Sequence, residues 1–173
     1  NESSAKTSLI IDLSTGETLF EKNPNKRIYP SSMTKIMTAL LAFEKIKNGS
    51  LSLDQEILVS EKAWRMGGSK MFIEVNEKVK VKDLLKGIIV QSGNDASIAL
   101  AEGISGSEET FVMEMNSLAR KIGLNGTNFS NSTGWPDDNH YTTAADLAIL
   151  AKYTLENHYD LYKMYKISDF TYN

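Results

Sequence analysis

The chain reads as an α+β fold, with helices gathered against an antiparallel sheet whose strands come from both ends of the sequence. Three observations predict it. Two short apolar runs flank Ser14-Thr15-Gly16-Glu17 near the start, apolar residues at helical spacing dominate the middle, and Phe170-Thr171-Tyr172 begins another strand at the end. At 173 residues, with 41% hydrophobic and 24% charged, the composition suits one globular domain over residues 1–173.

The first runs, Ser8 to Leu13 and Thr18 to Phe20, are predicted to close a β-hairpin around Gly16. After Pro30, the residues Met33, Ile36, Met37, Leu40 and Leu41 predict a well-buried helix, polar at its start and stopped by Asn48-Gly49. Ile57-Leu58-Val59 is a short strand, Ser60 caps the next turn, and Gly67-Gly68-Ser69 makes a glycine-rich loop before Met71-Phe72-Ile73. Two apolar helices, one carrying Leu84, Leu85, Ile88 and Ile89 and the other Ala96, Ala99 and Leu100, enclose the polar turn Gln91-Ser92-Gly93-Asn94-Asp95. Ser107, with Glu108 and Glu109 in the first turn, opens a helix that Gly123 closes. Thr143 and Asp146 predict a capping box for a last helix with Leu147, Leu150 and Tyr153 on its apolar face. Between these helices, Asn125 to Tyr141 is irregular and carries Gly134-Trp135-Pro136, the pattern of a functional loop with an aromatic anchor.

Composition narrows the function. A net charge of −3 without a basic run argues against nucleic acid as a partner. Zero cysteines exclude a disulfide framework and a thiolate metal site. Only His140 and His158 are present, too few for a histidine-rich metal site, so no metal and no cofactor are expected and both histidines read as surface or core residues. No basic, apolar leader and no apolar run long enough to span a membrane are visible, and a first residue of Asn is compatible with a processed export signal.

No Ser-His-Asp or Cys-His arrangement and no phosphate-binding glycine loop stands out, so serine and lysine carry the chemical signal. Ser32-Met33-Thr34-Lys35 places a hydroxyl and an amine three residues apart on one helix face. Lysine acts as a base near neutral pH only if its cation is destabilised. Desolvation among Met33, Ile36 and Met37, and the positive end of the helix dipole, would both do that. With 18 serines and 16 lysines in the chain, roughly two such spacings arise by chance. The other one, Ser3 to Lys6, lies in a polar tail with no predicted helix. Ser92-Gly93-Asn94 adds a hydroxyl able to relay a proton and an amide able to hold a substrate carbonyl or amide, although taken alone it is as weak as any tripeptide and reads first as an interhelical turn.

Together the two segments resemble two of the three motifs shared by penicillin-binding proteins and class A β-lactamases. The wording is closest to the low-molecular-weight serine D-alanyl-D-alanine carboxypeptidases. It is carried by Tyr29-Pro30-Ser31-Ser32-Met33-Thr34-Lys35-Ile36-Met37-Thr38, Gly68-Ser69-Lys70-Met71-Phe72, Gln91-Ser92-Gly93-Asn94-Asp95-Ala96, Leu118 to Leu124 and Tyr141 to Leu147. The resemblance implies a penicillin-binding transpeptidase and β-lactamase-like fold, an antiparallel sheet with a helical subdomain. It implies an exported enzyme, in the bacterial periplasm or on the outer face of the cytoplasmic membrane, that removes the terminal D-Ala from peptidoglycan stem peptides and is acylated by β-lactam antibiotics. Ser32 would be the nucleophile, Lys35 its base, Ser92 a proton relay and Asn94 the substrate-binding amide, with the Ser32 backbone N–H as one oxyanion donor.

The third family motif, K-T-G or K-S-G, is nowhere in these residues. The expectation is therefore a truncated catalytic domain lacking its C-terminal strands, with any membrane association supplied by a missing C-terminal segment. A class A β-lactamase is disfavoured because Gly93 stands where Asp is expected and no Glu occurs between Asn125 and Tyr141. A non-catalytic peptidoglycan-binding module of the same fold is the remaining alternative.

Overall fold

The computed structural model describes residues 8–12, 17–31 and 33–165. Two strands, β1 (Ser8–Asp12) and β2 (Glu17–Lys22), pair antiparallel as the glycine-centred turn predicts. A bulge falls between Ile10 and Ile11, where the partner changes from Phe20 to Thr18 and one residue of β2 is left over. The long helix α1 (Met33–Lys47) comes next. A second two-stranded sheet pairs β3 (Glu56–Leu58) with β4 (Lys78–Lys80), and between them lies the short helix α2 (Glu61–Arg65), capped by Ser60 through the Ala63 N–H. Helices α3 (Val81–Gln91), α4 (Asn94–Ser105), α5 (Glu108–Ile122), α6 (Ala144–Asn157) and α7 (Tyr159–Met164) complete the order. The strand expected at Phe170 to Tyr172 lies outside the described residues.

Helix α1 forms the centre. Ten consecutive residues from Met33 to Ala42 are buried, because α3, α4, α5 and α7 all pack against it. A helix enclosed on every side cannot keep a polar stripe in water, so Thr34, Lys35 and Thr38 must find partners inside the protein. At the far end of α1, Glu44 accepts a 2.6 Å hydrogen bond from the Tyr153 hydroxyl and pairs through its other oxygen with His158. Burial and the Glu44 carboxylate push Tyr153 up to about 12, which keeps it a donor.

The caps of α5 form as predicted: Ser107 Oγ accepts from the Thr110 N–H, and Gly123 takes the left-handed conformation that returns backbone N–H to the last turn. The cap of α6 differs from the expectation. Thr143 Oγ1 accepts from the Asp146 N–H at 3.1 Å, but the Asp146 carboxylate does not complete the box. It accepts instead from the Gly126 N–H at 2.8 Å and from Thr127 Oγ1 at 2.6 Å, fastening the start of the 125–141 loop to α6. Two bridges then close that loop at its base: Asn128 pairs with Tyr141, and Ile28 with Thr142.

Because Asp146 holds a distant loop while Thr143 only caps a helix, their truncations differ in cost. Asp146→Ala is expected to destabilise the protein by about 3–6 kcal/mol, the scale of two hydrogen bonds to a carboxylate. Thr143→Ala should cost about 1 kcal/mol. Urea midpoints of the two variants measure the difference, and equal losses would show that Asp146 is only a capping residue.

Candidate active site

The loop closed by those bridges lies over the first turns of α1, and three buried α1 side chains hold it there. Thr34 Oγ1 meets His140 Nε2 at 2.7 Å, Lys35 Nζ donates to the Thr133 carbonyl at 2.9 Å, and Thr38 Oγ1 donates to the Ser132 carbonyl at 2.8 Å. Within the loop, Asn131 Oδ1 accepts from the Thr133 and Gly134 N–H groups, and Glu108 at the start of α5 accepts from both the N–H and the hydroxyl of Ser132. Gly134 is required by this approach: its φ is +91°, and a Cβ there would stand 2.1 Å from the Ser31 carbonyl oxygen.

Lys35 is 7% exposed. Burial lowers it from the usual lysine value to about 8, so about a tenth of it is neutral at pH 7. Its partner, a backbone carbonyl, accepts from either protonation state and holds the side chain in place without adding charge. Ser32 lies outside the described residues. Its flanks are fixed, since Pro30 O accepts from the Met33 N–H at 3.0 Å and Ser31 O from the Thr34 N–H at 3.1 Å.

Ser92 ends α3 in the left-handed conformation, φ 53° and ψ 40°, with its N–H turned back onto the Gly87 and Ile88 carbonyls. A non-glycine residue held there is strained, and the turn is what aims the residues after it. Asn94 opens α4, 7% exposed, and its Nδ2 donates to the Gly67 carbonyl at 2.9 Å. A Cβ on Gly68 would approach that Nδ2 to 2.6 Å and the Trp135 ring to 3.5 Å. The glycine-rich loop, the Ser92-Gly93-Asn94 turn and the 131–135 loop therefore meet at one place. Lys35 reaches it through Thr133, two residues from Trp135. An apolar cavity of about 710 Å³, lined by Phe43, Leu53, Ile89 and Met164 among others, lies elsewhere and includes none of these residues.

A profile of D-alanyl-D-alanine carboxypeptidases, peptidase family S11, matches residues 1–173. The chain belongs to the D-alanyl-D-alanine carboxypeptidase family. It is 49% identical over 152 residues to the D-alanyl-D-alanine carboxypeptidase DacF of Bacillus subtilis, covering 88% of this chain and 39% of that protein. To DacA of Haemophilus influenzae it is 39% identical over 172 residues, covering 98% and 44%. Crystal structures agree: the DacD carboxypeptidase of Francisella tularensis superposes with a TM-score of 0.90 at 44% identity, over 95% of this chain and 40% of that one. Penicillin-binding protein 5 of H. influenzae gives 0.90 at 38% identity, over 95% and 49%. The chain thus spans less than half the length of each of these four relatives. Membership of this carboxypeptidase family, rather than of the class A β-lactamases, is the assignment these matches support.

Reading the sequence alone missed the polar seat on α1. Thr34, Thr38, Glu108, Asn131 and His140 are common residue types at no motif spacing, and only the fold makes them partners. His140 shows how specific the partnership is. Its Nδ1 accepts the Ser130 N–H at 2.9 Å, which places the proton of the neutral ring on Nε2, facing Thr34. A second ring proton would point into that N–H, and burial lowers His140 to about 4, only partly opposed by Asp137.

The sign of the resulting pH effect comes from that depression. Above pH 6.5 the ring is neutral in folded and unfolded chains alike, and its contribution is fully present. Between about 6.5 and 4 only the unfolded chain gains the proton, so stability is lost as pH falls, by about 3 kcal/mol in all. The stability advantage of the parent over His140→Gln, measured by urea unfolding from pH 7 to pH 4, is expected to shrink by that amount. A constant advantage would mean that the ring is protonated in the folded state.

Proposed function

We propose that this chain supplies the nucleophile, base and peptide-orienting amide of a serine D-alanyl-D-alanine carboxypeptidase. The observation that carries the reading is the buried Lys35 amine, lowered to about 8 and held on the Thr133 carbonyl, one turn along the sequence from Ser32. Its neutral form takes the Ser32 proton as Ser32 Oγ attacks the carbonyl carbon of the penultimate D-Ala. The terminal D-Ala leaves as its nitrogen gains a proton, for which the Ser92 hydroxyl is the relay. Water then attacks the ester carbonyl, and Ser32 recovers its proton as the shortened peptide departs.

Asn94 fits the task of orienting the peptide. Its Nδ2 spends one hydrogen on Gly67 and keeps a second, while its Oδ1 has no protein partner among the described residues. The substrate is then a peptidoglycan stem peptide and β-lactams acylate the same serine, in keeping with the likeness to a penicillin-binding protein. Such a polymer lies outside the cytoplasmic membrane, which places the enzyme in the envelope. Any attachment to the membrane itself is a further part of the proposal.

Two experiments on the intact protein containing this chain test the reading. Labelled penicillin followed by mass spectrometry should place the adduct on Ser32, and label on another serine overturns the assignment. The logarithm of the acylation rate should rise with unit slope up to about pH 8 and then level, because only neutral Lys35 removes the proton. Lys35→Ala should lower the rate by about 10²–10⁴-fold and abolish that slope. A variant acylating within threefold of the parent would make Lys35 a packing residue.

A further inference from the structure

Asp95 is 1% exposed, comes directly after Asn94 and belongs to none of the motif positions. Its carboxylate is nonetheless the most heavily used acceptor around the site. Oδ1 accepts from the Met71 N–H at 2.9 Å and the Ala96 N–H at 2.8 Å, and Oδ2 from the Phe72 N–H at 3.0 Å and the Ile73 N–H at 3.3 Å. Three successive backbone donors of an irregular segment thus converge on one side chain of α4. No strand or helix supplies acceptors for these N–H groups here, and the Asp95 carboxylate takes that place.

Two features accompany this contact in the local geometry. Phe72 is 79% exposed with φ +64°, a left-handed conformation adopted where its N–H donates to Asp95 Oδ2. Gly93 lies tightly beneath the clamp: a Cβ there would stand 3.0 Å from Asp95 Oδ1 and 3.1 Å from the Met71 nitrogen, so a side chain would make its neighbours give by a few tenths of an ångström. The same loop touches Asn94 twice, Ser69 O accepting its N–H at 2.7 Å and Gly67 O accepting from its Nδ2 at 2.9 Å. Residues 67–73 and the Ser92-Gly93-Asn94 turn are therefore one unit, with Asp95 as its fastener.

We infer that Asp95 is a positioning residue for the acylation reaction, holding the Gly67 to Ile73 loop against Asn94 so that the Asn94 amide meets the substrate in one orientation. The inference rests on the carboxypeptidase reading above. Asp95→Asn is the informative substitution, because it preserves size while converting one of two acceptors into a donor. Whichever way the amide turns, its NH2 faces either the Met71 and Ala96 N–H groups or those of Phe72 and Ile73, and half of the clamp becomes repulsive.

The test compares the intact parent protein with Asp95→Asn. Hydrogen exchange should show the amides of Met71, Phe72 and Ile73 losing protection while α1 and α5 keep theirs. Saturating labelled penicillin should still fill every active site, but the second-order acylation rate should fall by about 10–100-fold, the scale of a small misplacement of a positioning group. The midpoint of the pH profile should remain near 8, because the surroundings of Lys35 are untouched. A fall in the number of acylated sites at an unchanged rate would reduce Asp95 to a folding role. Lost protection at residues 71–73 with the parent's acylation rate would also overturn the inference, leaving the carboxypeptidase reading intact. A parent protein that penicillin does not acylate would overturn the carboxypeptidase reading, and this inference with it.

Discussion

A polar helix face that is sealed from water has to be answered by something, and in this protein the answer fixes the site. Thr34, Lys35 and Thr38 lie on a helix enclosed by other helices, where an unpaired hydroxyl or amine costs kilocalories. Their partners, His140, the Thr133 carbonyl and the Ser132 carbonyl, all come from the single loop between α5 and α6. Irregular as it is, that loop is pinned at its base by the Asn128 and Thr142 bridges and by Asp146, and at its crest by α1. The constraint works in both directions: the helix needs the loop to satisfy its polar face, and the loop has no regular structure without the helix.

The same burial that demands partners also lowers the Lys35 amine, which is what the proposed role of a base requires. An amine in water stays protonated well above pH 7, whereas this one, buried and donating to the Thr133 carbonyl, is lowered to about 8. A carboxylate in place of the Thr133 carbonyl would hold the cation and lose the base. Burial thus destabilises the Lys35 cation at a cost in folding stability, the trade expected if the amine serves as the proposed proton acceptor.

A second unit faces the first. Backbone groups of the glycine-rich loop have no strand to join, so Asp95 and Asn94 take them up, and the turn after α3 is tightened into the left-handed conformation at Ser92. Gly68 and Gly134 allow the closest approaches, one to Asn94 and one to Ser31. Both loops are therefore held in the same way, by a carboxylate or amide side chain standing in for missing secondary structure.

The sequence by itself determined the elements whose signals are local. The period of Met33, Ile36, Met37 and Leu40, the caps at Ser60, Ser107 and Gly123, and the glycine turn of the first hairpin each depend on residues within a few positions of one another. The motif residues Lys35, Ser92 and Asn94 were legible for the same reason, as fixed short spacings. The short strand Lys78–Lys80 and the helix Tyr159–Met164 were not, because three and six residues hold too few periods to register and form only by packing. Asp146 looked like a capping partner from its spacing to Thr143, and the fold turned it toward Gly126, which no local pattern specifies. The roles of His140, Glu108, Thr133 and Asp95 belonged wholly to the tertiary structure. Their partners are separated by 22 to 106 residues, and hydrogen bonds across such separations leave no period in the sequence, only ordinary residues that become specific once the chain has closed around them.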